Sequence, residues 1–384
     1  MITLENADKA LKDYYLQAVT AQLNDNISPF FSAIEKTANN VYGKDVKVSI
    51  VHGNTESVLA CDEDGTLPAP YGNRYLEISV PLKNIYGTIE VSDKAMRASR
   101  DSSGAFVNLV NAEMDGLISS AKYTFQRMLY GDGTGSLCSI IMADANAATN
   151  FKYIVDNITK LAVGMTVDVV SADGIKTEGL HIAAIAASTR TVTFNKAVSG
   201  TAANGLVTTA GAYGNELTGL GAIFGEKDLY GHVRADEPYF EPYRVSTGSF
   251  SEELFVSILD YLEENFNSKT NMILCSYARR REIIAQLNSM KVTTNTIDTI
   301  AGNGIVTING VPVYADKFCP NDKIYFVNTD DFALNQLCDW EWLEDEDGKI
   351  LKQVPGKAAY SATLVKYAEL ICKKPCAQAV LTLS

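Results

Sequence analysis

Histidine is the scarcest chemically versatile residue in this chain: His52, His181 and His232 are the only three, far apart and without a motif around them. Ser-His-Asp and Cys-His catalysis both lack their parts, because no nucleophile sits on a Gly-x-Ser-x-Gly elbow. Seven cysteines (Cys61, Cys138, Cys275, Cys319, Cys338, Cys372 and Cys376) are an odd number and include no Cys-x-x-Cys pair. A metal site and a disulfide framework are therefore unexpected. Most of them sit in apolar contexts such as Leu337-Cys338 and Ile371-Cys372, where reduced, buried thiols are the default. Long apolar runs are missing too. No stretch of about 18 apolar residues could cross a bilayer, and a start carrying Glu5, Asp8, Lys9 and Asp13 is not a secretory leader. Synthesis and assembly in a reducing cytoplasm are expected, with no membrane partner.

Cations are also in short supply. Thirty-three Lys and Arg against 46 Asp and Glu leave a formal charge of −13. Such a surface repels nucleic acid, whose binding needs clustered cations to displace counterions. The chain has 384 residues, 46% hydrophobic and 21% charged, which is ordinary for a folded protein and long enough for two or three domains.

The strongest pattern present is a long amphipathic helix from about 105 to 130. Phe106, Leu109, Val110, Met114, Leu117, Ala121, Phe125, Met128 and Leu129 recur at the three-and-four spacing of one buried face. Gly131, Gly133 and Gly135 then stop it, because glycine reaches the left-handed conformations that end helices. Upstream, residues 44–91 read as a long hairpin. Val46, Val48 and Ile50 alternate with polar residues, and Leu76, Ile78, Val80 and Leu82 do so on the return. Its tip, Asp62 to Arg74, is rich in Asp, Gly and Pro. Two strands alone are marginal in water, so the ribbon needs a surface to lie on, and a neighbouring copy is the expected one. Before it, a helical pattern breaks at Ser28-Pro29, since proline biases the preceding residue away from the helical region.

From Phe151 to Gly211 the texture changes to short strand-like runs at 166–170, 180–187, 191–194 and 206–209, a pattern that predicts a small β-barrel. Two amphipathic helices follow. The first is signalled by Ser249 with Glu252 as a capping box ahead of Phe255, Ile258, Leu259, Leu262 and Phe266. The second begins near Ser276 and carries Ile283, Ile284, Leu287 and Met290. Strands are expected at 272–274, 305–308, 311–314 and 324–327. Trp340 and Trp342 lie on a strand expected to turn at Asp347-Gly348 into Ile350-Leu351, with final strands at 363–372 and 379–383.

Each motif with a chemical reading also has a plainer one. The acidic clusters Asp62-Glu63-Asp64 and Glu344 to Asp347 lack the alternating ligands of a calcium loop and read as solvated turns. Gly131 to Gly135 follows a helix and has no Lys after it, unlike a phosphate loop. Arg279, Arg280 and Arg281 point about 100° apart on a helix, forming a charged rim rather than a patch.

The order of these features resembles the major capsid proteins of tailed bacteriophages, with the Hong Kong 97-like fold. The resemblance rests on Tyr86 to Ser92 leading into the helix and its glycine stop, then Asn215 to Leu220, Asn309 to Tyr314, Asp339 to Glu344 and the tail Leu364 to Ala377. It implies an α+β chain with these parts: an N-terminal arm (1–40), an extended hairpin loop (41–91), a peripheral domain with a spine helix (92–150), an inserted β domain (151–211), an axial domain (212–327), return strands of the peripheral domain (328–374) and a last axial strand (375–384). The same N-terminal pattern fits an ordinary helix of its own domain.

The implied function is structural: a coat subunit assembling into hexamers and pentamers of an icosahedral head, made in the host bacterial cytoplasm. The head would enclose double-stranded DNA without sequence-specific binding, and an acidic wall suits that task. Portal, scaffolding and decoration proteins are the further partners; no cofactor, metal or catalytic residue is expected. Expected assembly contacts are Asp62, Glu63, Asp64, Asn73 and Arg74 at the hairpin tip, Gly131, Gly133 and Gly135 at the helix stop, Ile27, Pro29 and Phe30 in the arm, and Arg279 and Arg280 on the charged rim. For the insertion, a folding aid, a decoration platform and an intercapsomer contact all stay open. Two other readings are a hydrolase using Asp339 or Glu341, which needs a cleft of converging acids, and an adhesin built on the β insertion.

Overall fold

The computed structural model describes residues 28–53, 57–58, 60–62, 69, 72–94, 103–144, 147–249, 251–289, 306–344, 348 and 350–383. Arg127–Gly225 forms one compact unit, and Met1–Gln126 with Glu226–Ser384 forms the other.

The Arg127–Gly225 unit is built on a closed antiparallel barrel. Its strands run in the order Thr191–Phe194, Lys152–Val155, Ser136–Ala143, Leu206–Thr209, Thr166–Val170, Lys176–Ala186 and back to the first. Every strand contributes to the interior, among them Ile140, Tyr153, Val169, Ile182, Phe194 and Val207. Thr191–Phe194 and Lys152–Val155 alternate buried and less buried positions, as barrel strands must. The barrel is larger than the segment 151–211. That segment holds five of the strands, and five would leave two open edges. Ser136–Ala143, directly after the helix stop, pairs with Lys152–Val155 and Leu206–Thr209 and closes the ring.

The other unit has two large sheets. In the first, Ala359–Cys372 pairs along its length with Lys83–Ser92 and with Phe332–Trp342, and Glu35–Thr37 adds a parallel strand to the latter. The hairpin expected at Asp347-Gly348 is not formed. Lys352–Gln353 pairs with Tyr360 and Ser361, while Trp342 pairs with Leu364. The fourteen-residue strand offers a ladder to both segments, and this outcompetes the local turn. Asp347 lies outside the described residues.

The long helix, Ser103–Leu129, has 27 residues and is about 40 Å long at about 1.5 Å per residue. In this unit it buries Met114, Ile118 and Phe125, a four-and-seven spacing on one face. Leu117 stands over Gly87, where an added Cβ would lie 2.7 Å from Leu117 Cδ1.

The second sheet runs Tyr243–Thr247, Ala379–Leu383, Lys323–Val327, Met272–Cys275, Val311–Ala315, Val306–Ile308. Phe255, Ile258 and Leu262 from the helix Glu252–Phe266 and Ile283 from Tyr277–Ser289 pack with this sheet into one core. The helix cap is Ser251, whose hydroxyl accepts from Leu254 N–H, and not Ser249, whose carbonyl accepts from Thr247 Oγ1. Asn309 and Gly310, with φ of 50° and 80°, form the tight turn between Val306–Ile308 and Val311–Ala315, as an Asn-Gly pair favours.

Candidate assembly surface

The expected ribbon is a three-stranded sheet: Val41–Tyr42, Asp45–His52 and Arg74–Pro81, with Asp45 opposite Pro81 and His52 opposite Arg74. Its inner face, Val46, Val48, Ile50, Ile78 and Val80, is no more than 9% exposed. The sequence expectation that a neighbour must cover this face is corrected: the chain covers it itself. His232 Nε2 lies 3.0 Å from the Glu77 carbonyl oxygen, and its ring stacks on Phe240 at 4.5 Å. The His52 ring meets Tyr239 edge-on at 5.0 Å, and the Tyr239 hydroxyl donates to the Lys373 carbonyl. Alternation revealed the apolar face but carried no information about which surface would meet it. On the outer face Val51 and Tyr75 sit opposite each other, 53% and 67% exposed, an apolar pair open to solvent.

The remaining expected contacts fall into four groups. Asp62, Asn73 and Arg74 are exposed at the far end of the hairpin, whereas Ile27, Glu63 and Asp64 lie outside the described residues. Pro29 opens a short helix, Pro29–Ala33, at its first position, after an extended Ser28. Phe30 is a correction: it is fully buried edge-on against Phe332, beside Phe31 against Phe125, and so anchors its own subunit.

The helix stop is also internal. At Gly135, with φ of 79°, an added Cβ would lie 2.8 Å from the Ala212 carbonyl oxygen; at Gly219 it would lie 2.3 Å from that of Met128. Gly133 faces the Leu217 carbonyl, and Gly131 lies against Gly221. These glycines let the segment after the barrel pack onto the helix end, so they are packing positions rather than surface contacts. Arg279 pairs with its own Glu282 and donates to the Asn321 carbonyl, and Arg280 lies over the Tyr277 ring at 5.2 Å. Arg279 and Arg280 are half-buried and engaged within the subunit, whereas Arg281 is exposed.

Two charged clusters escaped the sequence reading. Arg127 and Glu216 form a bidentate ion pair with side chains 4% and 2% exposed, joining the chain before the barrel to the chain after it. Eighty-nine residues separate them, and no local pattern marks such a pair. The second cluster is Lys366, wholly buried, with Asp339 and Gln336 as partners. Asp339 is thus held by a lysine, while Glu341 is exposed on the same strand. The thiols follow the reduced reading. Burial pushes Cys138 and Cys275 up to about 12 and Cys376 up to about 11, which leaves them protonated and unreactive at neutral pH. Among the described residues, no group of three or more His, Cys, Asp or Glu could hold a metal ion, and no helix is long and apolar enough to cross a membrane.

No protein-family model and no curated protein matches this sequence. Solved structures do match. The chain is similar to a subunit of the cyanophage A-1(L) capsid at 12% identity, TM-score 0.54, covering 93% of this chain and 92% of that one. It is similar to the capsid subunits of native and empty GTA particles, also at 12% identity, with TM-scores of 0.50 and 0.51. These cover 95% and 93% of this chain and 90% of each subunit. The chain has the Hong Kong 97-like capsid fold. The similarity covers more than nine-tenths of the chain.

Proposed function

We propose that this protein is the major capsid protein of a tailed bacteriophage, assembling into hexamers and pentamers of an icosahedral head. The similarity to the cyanophage capsid subunit over nine-tenths of both chains carries this reading. Residues 92–150 and 328–374 serve as the peripheral domain, with Ser136–Ala143 lent to the barrel of the inserted β domain 151–211, while 212–327 and 375–384 serve as the axial domain and 1–40 as the arm. The hairpin 41–91 reaches a neighbour through its exposed far end at Asp62, Asn73 and Arg74 and through the Val51–Tyr75 face, and Glu63 and Asp64 are proposed as further contacts. A closed shell sums many modest contacts of this kind, and closure supplies the stability that a single contact lacks. The head encloses DNA behind a wall of charge −13 that does not grip phosphates. A portal protein, a scaffolding protein and decoration proteins complete the particle, and assembly takes place in the host cytoplasm.

The test is electron microscopy of the purified full chain after expression alone and with concentrated salt. Shells, tubes or capsomer rings are expected. A particle that stays monomeric by light scattering at high concentration in every condition would overturn the reading.

A further inference from the structure

The barrel has no task assigned among folding aid, decoration platform and contact between copies, and its outer wall chooses one. The ring is closed, so no strand edge is open to addition and a partner must lie on side chains. Register places Met142, Ile154, Thr191 and Ala186 side by side on four neighbouring strands. Met142 is 52% exposed and Ile141, at the bulge beside it, 46%. From Ile182 to Thr189 the next strand and its turn carry no charged residue. Across this wall runs one line of alternation: Lys152, Ile154 and Asp156 share the outward side, while Tyr153 and Val155 are buried. An ammonium and a carboxylate thus stand about 13 Å apart along one strand, with an apolar residue midway. Neither forms an ion pair among the described residues. Asp156 Oδ1 accepts from the Ser139 N–H at 2.9 Å, and its charge is also felt by the half-buried Lys160. Arg190 donates to the Asp156 carbonyl at that end, and Asp144 N–H donates to the Lys152 carbonyl at the other.

We propose that this wall is a contact between two copies of the chain, with Ile154 on a two-fold axis and Lys152 of each copy against Asp156 of the other. A two-fold contact must be its own complement. A strand that reads cation, apolar, anion meets that condition when a second copy lies antiparallel across it. Charge favours the copy as occupant in a second way. The Arg127–Gly225 unit has six Lys and Arg against seven Asp and Glu, 6 − 7 = −1, so two walls approach without net repulsion. Two β walls also stack face to face as sheets do in a sandwich, with the small Ala186 and Thr191 allowing close approach. The patch covers on the order of 200 Å², from three strand spacings by five residues, well under the roughly 800 Å² per partner of an independent complex. The contact is therefore weak singly and gains from repetition. In this it rests on the assembly reading and adds to it a named pair of surfaces.

Chemical trapping tests it in the full chain. Ile154→Cys is made in a Cys61→Ser background, because Cys61 is an exposed thiol, and treated with a short bis-maleimide that spans the roughly 10 Å between stacked sheets. Linked pairs of chains are expected from Ile154→Cys and not from the Cys61→Ser parent or from Glu178→Cys. Glu178 is exposed on the part of its strand that pairs with Thr166–Val170, away from this wall. Adding Lys152→Glu should cut the linked yield about tenfold, as two exposed pairs become repulsions. Adding Asp156→Lys to that should restore it. Should Asp156→Lys misfold by circular dichroism, Asp156→Asn alone keeps an acceptor for Ser139 and should lower the yield. Electron microscopy of the same samples separates the two readings. Particles without links at Ile154→Cys overturn the wall contact alone, whereas links without particles uphold it and count against the shell. Equal yields from Ile154→Cys and Glu178→Cys overturn the wall contact, and a yield unmoved by Lys152→Glu overturns the charge pairing.

Discussion

The two units of this chain handle charge in opposite ways. Residues 127–225 hold six Lys and Arg and seven Asp and Glu, a net charge of −1. The remainder then holds 27 against 39, or −12, close to the whole imbalance of −13. In the barrel unit charges are fasteners. Arg127 and Glu216 clamp entry to exit, and Asp168, 3% exposed, accepts from the Gly179 and Gly211 N–H groups beside Lys176. In the larger unit many carboxylates stand in water, such as Glu252, Glu253 and Asp260. Copies of the larger unit therefore repel one another over a Debye length, about 10 Å at 0.1 M salt, while the barrel approaches other surfaces without that penalty.

The sharpest way to break this comparison is to damage one core and watch the other. Phe194 is buried inside the barrel, and Phe326 in the core beneath the second sheet. Phe194→Ala should cost the barrel about 3–5 kcal/mol. Both tryptophans, Trp340 and Trp342, lie in the larger unit, so their fluorescence follows that unit while far-UV circular dichroism follows both. The expected outcome is an early dichroism transition with the fluorescence midpoint unmoved, and the converse order for Phe326→Ala. Coincident transitions in both variants would mean that the two units fold as one.

A somewhat smaller effect is expected at the clamp. Arg127→Met leaves Glu216 buried without its cation and should destabilise the barrel by about 3 kcal/mol, near the low end for a broken buried pair because the carboxyl can take up a proton. The double variant with Glu216→Leu should regain most of that loss, measured by urea midpoints. No recovery would show that the pair supports more than itself. Smaller again, Ser251→Ala should lower the stability of the larger unit by about 1 kcal/mol, while Ser249→Ala should leave it unchanged. Equal losses would restore the cap that the sequence pattern indicated.

That last contrast shows where the sequence was readable. The spine helix, its glycine stop, the alternating faces of Asp45–His52 and Arg74–Pro81, and both helices over the second sheet were legible because they depend on neighbours within a turn or a pleat. The Ser249 assignment failed within the same motif, since Ser251 offers an equivalent hydroxyl two residues later and only the backbone decides between them. Long-range choices were not legible. Nothing local says that Ser136–Ala143 closes the barrel, that Lys352–Gln353 pairs past Trp342, or that His232 and Tyr239 seat the hairpin. Of the candidate contacts, Phe30 read as an assembly contact of the arm because a Pro-Phe-Phe run looks the same whether its cover comes from Phe332 of the same chain or from a neighbour.

The smallest expected effect is a difference of slope in acid. Burial alone would raise Asp168, but the Gly211 and Gly179 N–H groups and Lys176 outweigh it and hold the carboxyl below its ordinary value. Asp331, in the larger unit, is raised by burial, and Lys374 and the Gln378 amide only partly offset this. A depressed carboxyl contributes stability that is present above its unfolded value, near about 4, and lost as pH falls through its folded value. A raised carboxyl does the reverse: its contribution is present below the unfolded value and lost as pH rises through the folded one. Acidification below about pH 4 should therefore weaken the barrel through Asp168, whereas the gain from Asp331 in the larger unit comes earlier, as pH falls from its raised folded value to about 4, and is complete below that. Asp168→Asn should flatten the acid slope of the barrel transition, and Asp331→Asn should remove the opposing slope seen by tryptophan fluorescence. If Asp168→Asn left the acid slope of the barrel unchanged, the hydrogen bonds from Gly179 and Gly211 would not be what ties this unit's charge to its fold.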